Sequence, residues 1–244
     1  MRVLLLLVAL FCLAGPAAGQ ARVGEKEFLE WSTYYYRDPE PQRSRPMLQY
    51  AAKKGYLKDP YARMLLAVFL GRVAADDPLQ LGAWAGAVSD ASDAEQEVLL
   101  RAIWFSRHPS AAETLRGLVG KTSDEHKALL DLLLKEEAPA VEQMPVESAD
   151  VLDMLWSCYM ATGDVKYVRR IIGALAYRGS ADRKRVVVAA AAKWSLTSNC
   201  AMHPQVMKEC VAESRNLDGI VSTALKEIVE KARLKRGTTG RGKR

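Results

Sequence analysis

Apolar side chains recur along most of this chain at intervals of three and four residues. Leu152, Leu155, Trp156 and Tyr159 fall at i, i+3, i+4 and i+7. Ala62, Leu65, Leu66, Phe69, Leu70 and Val73 repeat the stripe, and Val165, Val168, Ile172 and Leu175 do so again. That period matches the turn of a helix and places each set on one face. No stretch sustains the alternation that a half-buried strand needs. The one β-branched run, Val186, Val187 and Val188, leads into Ala189 to Ala192, and alanine is the strongest helix former. The pattern predicts an all-α fold.

Start signals agree. Ser92 with Glu95 and Thr122 with Glu125 read as capping boxes, in which a hydroxyl takes an orphan backbone N–H and the carboxylate reaches back. Asp59-Pro60 and Asp77-Pro78 place a capping carboxylate before a proline, which has no N–H to leave unpaired at the first helical position. Turns recur at Asp38-Pro39, Asp77-Pro78, His108-Pro109, Gly163-Asp164 and His203-Pro204, spaced by 39, 31, 56 and 39 residues. The long interval leaves room for one more helix near Ser123 to Lys135. The stretch 138–145, with two prolines, is the best loop, so an internal boundary is placed at 136–147 within a domain spanning 20–236.

These paired helices and turn spacings resemble the α-solenoid hairpin repeats of the tetratricopeptide and HEAT kind, although no unit carries the tetratricopeptide consensus residues. The resemblance implies about five antiparallel hairpins stacked into an array that serves as a binding scaffold, with an irregular helical bundle as the alternative. The segments Phe28 to Tyr36 and Ala192 to Asn199 also resemble stretches of secreted bacterial proteins of no assigned activity, which transfers no catalytic residue.

The N-terminus has a different character. Arg2, an unbroken apolar run from Val3 to Leu13, and small residues at Ala17 and Gly19 form the three-part layout of a secretory signal peptide. Cleavage is expected after Gly19, leaving an exported, periplasmic or secreted chain with no membrane span. Charge is uneven as well. The whole chain has 35 basic against 29 acidic residues, yet residues 231–244 hold seven of the basic ones and no acid. With those and Arg2 set aside the body carries 27 basic against 29 acidic, so its charge gives no support to sequence-specific nucleic-acid binding. Gly237 is expected to end the last helix and to open a disordered basic tail, 237–244. Lys235, Arg236, Arg241, Lys243 and Arg244 are its candidate contacts to an anionic surface.

No nucleophile elbow, zinc-protease motif, C-x-x-C pair, phosphate loop or dinucleotide fingerprint is present, so no catalytic residue, metal ligand or cofactor is assigned. His108 and His203 precede prolines and read as turn residues. His126, beside Asp124 and Glu125, reads as solvated. Cys200, His203 and Cys210 fall within eleven residues, but C-x2-H-x6-C is not an established zinc pattern. Buried thiols, or a Cys200–Cys210 disulfide clipping the turn, account for them. The five tryptophans read as filler between helices. The function expected from all this is an exported scaffold that binds another envelope protein, with an exported enzyme of unfamiliar helical type or a polyanion binder as alternatives.

Overall fold

The computed structural model describes residues 23–241 apart from Asp76, and the side chains of residues 78 and 236–241 are not part of that description. The expected export segment 1–19 and the side chains of Arg236, Arg241, Lys243 and Arg244 lie outside the described residues. The fold is all-α. Twelve α-helices and six short 3-10 turns pack around one apolar core that runs from Trp31 to Ala232, with no strand among the described residues.

The helices begin where side chains take up orphan N–H groups. Asp59 accepts from the Tyr61 N–H at 2.9 Å to start α3 (Pro60–Ala74), and Asp77 accepts from the Leu79 N–H at 3.0 Å to start α4 (Pro78–Ala87). Ser92 and Glu95 close the box at the head of α5 (Asp93–Phe105), the hydroxyl and the N–H of Ser92 both donating to the Glu95 carboxylate. α7 (Asp124–Lys135) starts one residue later than the Thr122 box would place it. Its cap is Ser123, whose N–H donates to Gln96 on α5, so docking against α5 sets the start.

Packing centres on α3, which lies between α5 and α8 (Ala149–Thr162). Arg63 meets Glu97 near the start of α3 and α5, while Gly71 meets Ala102 and Phe105 near their ends. These two helices therefore run in the same direction. Tyr61 bonds to Asp153 on the other side, bringing α8 alongside. Helices remote in sequence are thus neighbours of α3, while α4 touches it lightly. The packing is compatible with a solenoid-like fold, but the order of neighbours departs from the order along the chain. α9 (Val165–Gly173) rests on α8, and α10 (Arg183–Met202), α11 (Pro204–Asn216) and α12 (Gly219–Arg241) pack mutually. α12 continues through Gly237, where a stop was expected. One glycine inside a formed helix costs only about 1 kcal/mol, and propagation is cheap beside nucleation.

The turn between α8 and α9 needs its glycine. Gly163 sits at φ +69° and donates its N–H to the Tyr159 carbonyl at 2.7 Å. A Cβ there would lie 2.8 Å from Tyr36 Cδ2, and the Tyr36 ring is tethered through its hydroxyl to His203 and Arg37. We expect Gly163→Ala to destabilise the protein by roughly 1–2 kcal/mol, from the left-handed backbone and the contact together. Urea denaturation measures it, and an unchanged midpoint would contradict this account of the turn.

Candidate binding groove

Helix α1 (Glu25–Tyr34) leans on α8, and its backbone stands off from that of α3, which it reaches through Trp31. The trough left between the three helices holds about 450 Å³, within the range of ligand clefts, roughly 300–1,000 Å³. Phe28 and Ser32 of α1 form one wall, Leu65, Leu66 and Phe69 of α3 the second, and Asp153, Trp156, Ser157 and Met160 of α8 the third. Phe28, Leu65, Leu66 and Met160 are half-buried, so apolar surface faces the opening.

The floor of this groove is rigid. Trp31 stands edge-on to Phe69 with ring centres 5.0 Å apart, and Tyr35 packs edge-on to both. Such arrangements suit the positive edge and negative face of aromatic rings. Polar atoms around the rim are satisfied from within: Ser157 donates to the Asp153 carbonyl at 3.0 Å and Ser32 to the Leu29 carbonyl at 3.3 Å. Asp153 accepts from the Tyr61 hydroxyl at 2.7 Å. Burial, and then the bond to Asp153, push the Tyr61 hydroxyl well above the usual phenol range, so it remains a donor. The groove can therefore hold apolar side chains beside one carboxylate. A wider concavity between α1 and α2 (Ser44–Lys53) is bordered by charged residues, of which Arg43 pairs with both Glu27 and Glu40.

His203, expected as a turn residue, does precede α11 at its N-cap position, but its side chain makes no capping bond and serves elsewhere. The ring is fully buried among Tyr34, Tyr36 and Tyr159, and Nδ1 pairs with the Tyr36 hydroxyl at 3.0 Å. Arg37 binds the same hydroxyl, the Met202 carbonyl and the face of Tyr34. Burial, and then Arg37, hold the imidazole down at about 4, so it is neutral at physiological pH. Among the described residues Nε2 has no hydrogen-bond partner. This cluster latches the N-terminal segment to the α10–α11 turn, with the His203 ring closed to solvent beneath half-buried Tyr34 and Tyr36 and the exposed Arg37.

His126 is buried, not solvated, and its Nδ1 pairs with Ser123 at 2.9 Å. His108 bonds within its turn to the hydroxyl and the N–H of Ser110. Cys158, Cys200 and Cys210 are buried thiols. Cys210 is hydrogen-bonded with Cys200, which together with burial raises its thiol far above the ordinary range. Cys200 and Cys210 thus lie together at the α10–α11 hairpin. Cys158 stands apart against Tyr167, its thiol pushed up to about 12 by burial. Among the described residues no group of three or more His, Cys, Asp or Glu side chains is placed to hold a metal ion. Trp31, Trp84 and Trp156 fill the core as expected, and the half-buried Trp104 donates to the Glu136 carbonyl at 2.9 Å. Trp194 is the exception, with 73% of its surface exposed. Lys235 is exposed on α12, and among the described residues no helix is long and apolar enough to cross a membrane.

No family model, no curated protein and no solved structure matches this chain.

Proposed function

We propose that this chain is an exported α-solenoid-like scaffold that binds another protein of the cell envelope, with the α1/α3/α8 groove as its recognition site. The observation that carries the reading is the groove itself: half-buried Phe28, Leu65, Leu66 and Met160 over a rigid aromatic floor. Two or three apolar side chains from one face of a partner helix would fill it, and Asp153 at the rim suits a cation flanking that face. The enzyme alternative asks for His203 in a pocket with acidic residues, whereas its neighbours are tyrosines and Arg37.

The test places a photo-crosslinker at Leu66 and follows adducts in the native envelope fraction. One discrete adduct, lost in the presence of Met160→Glu, is expected. A carboxylate in the apolar wall should weaken capture at least about tenfold, the scale of an interface hot spot, while a half-exposed position leaves melting within a few degrees. Capture undiminished by Met160→Glu would remove the groove from the binding site.

A further inference from the structure

We propose that the outward face of α10 is a docking surface for an anionic lipid bilayer. The face lies on a different part of the molecule from the groove. Arg183, Val187, Ala190 and Trp194 follow at intervals of four, three and four residues, which places them in one stripe about 16 Å long. All four are exposed, Trp194 by 73% and Val187 by 66%. Ala191 and Ser198 border the stripe, and none of these positions carries an acid. The flanking Lys193 is tied to Glu227 of α12, so the edge of the stripe is held in place.

The first turn of α10 is Arg183, Lys184 and Arg185, with no acidic residue. The N-cap Asp182 accepts from the Lys184 N–H at 2.9 Å and supplies the one carboxylate at this helix end, while the three cations after it oppose the helix dipole. Arg185 lies over the Tyr177 ring at 5.3 Å, and among the described residues Arg183 and Lys184 make no ion pair. Lys231 and Arg233 are exposed on the adjoining α12. An exposed indole at one end of the stripe and unpaired cations at the other is a composition that settles in a bilayer interface when the helix lies flat: the ring at the headgroup boundary, the cations at the lipid phosphates. The charge favours an anionic leaflet over a neutral one. The stripe also stands on an exposed helix crest clear of the grooves, which suits a flat surface better than an inserted segment.

The test uses protein recovered after export, its N-terminus checked by mass, with vesicles of phosphatidylcholine alone or mixed with phosphatidylglycerol. Trp31, Trp84 and Trp156 are buried and Trp104 is half-buried, so an emission change is assigned to Trp194 by its loss in Trp194→Phe. The protein should pellet with the anionic vesicles and not the neutral ones, with a blue-shifted emission absent from Trp194→Phe. Trp194→Ala and the double variant Arg183→Glu, Lys184→Glu should each melt like the parent. The charge reversal should bind at least about tenfold more weakly, and added salt should weaken the parent. Removal of residues 237–244 should leave the Trp194 shift in place. Three results would overturn the proposal. One is no pelleting with anionic vesicles. Another is pelleting without a change in Trp194 emission, which would assign binding to another surface. The third is a vesicle-free dimer abolished by Trp194→Ala, which would give the face to a second copy. Met160→Glu should bind vesicles normally, so failure here leaves the groove reading untouched.

Discussion

Alanine at position 71 should destabilise the protein by up to about 2 kcal/mol, although alanine is the better helix former. Gly71 lies in α3 where that helix crosses α5 most closely. A Cβ built on it would sit 2.7 Å from Phe105 Cβ, 2.9 Å from the Phe105 carbonyl carbon and 3.0 Å from the Ala102 carbonyl oxygen. Two of these are backbone atoms, and they belong to a helix fixed on its other side by the core, so they cannot swing away as a side-chain tip would. Propensity alone favours alanine over glycine in a helix interior by about 1 kcal/mol. Overpacking a filled interior costs roughly 1–3 kcal/mol, and here the new atom would have to push two helices apart. The second effect wins. Leucine at the same position should abolish cooperative folding. Urea denaturation of the parent and of Gly71→Ala measures the difference, and a variant more stable than the parent would show that the crossing is looser than described. Gly82, with open space around its Cβ position, is the control. There alanine should be neutral or stabilising, because propensity acts without a clash.

The close crossing at Gly71 shows what local pattern can and cannot tell. The stripe from Ala62 to Val73 made α3 legible as a helix, because periodicity reflects which face is buried. It could not name the helices that bury it. α3 is flanked by α5 and α8, and α8 follows after some seventy-five residues of intervening chain. Hairpin spacing presumes that sequence neighbours are spatial neighbours, and the centre of this fold departs from that. The caps were legible for the same reason as the helices: Asp59, Asp77, Ser92 and Glu95 act within three residues of themselves. The groove was not, since Phe28, Leu66 and Met160 share no spacing, and only the tertiary fold brings them together.

Two misread residues had signals of different quality. His126 stands at i−4 and i−7 from Leu130 and Leu133, which are both buried, so the stripe already placed it inside; its acidic neighbours in sequence point elsewhere around the helix. Trp194 offered no such clue. The centre of α10 is alanine and valine on every side, and an apolar periphery cannot tell the core face from the outer one. Val188, Ala192, Leu196 and Cys200 turn inward, leaving Val187 and Trp194 outside.

Acid should loosen the protein through His203. The ring is buried between Tyr34, Tyr36 and Tyr159, with Arg37 as the nearby charge, and its folded value is about 4 against an ordinary value of 6.5. Protonation is therefore harder in the folded state than in the unfolded one. Above pH 6.5 both states hold a neutral ring and the contribution to stability is whole. Between pH 6.5 and about 4 the unfolded chain binds a proton that the folded chain does not, so stability falls as pH falls. The loss should approach roughly 3 kcal/mol at the lower end and level off below it, where both states are protonated. Other groups titrate in the same window, so the imidazole's share is the part of the slope that disappears when His203 is replaced. His203→Gln removes the titrating group while leaving an amide to meet the Tyr36 hydroxyl. Its absolute stability should be lower at neutral pH, because the aromatic packing is disturbed, but its stability should change less with pH over this range. Denaturation midpoints of parent and variant, taken in steps from pH 7 to 4, separate the two effects. Parallel curves would mean that His203 protonates as readily inside the cluster as outside it, and that the latch between the N-terminal segment and the α10–α11 turn opens to water. Converging curves would place the acid sensitivity of the fold at this one buried ring.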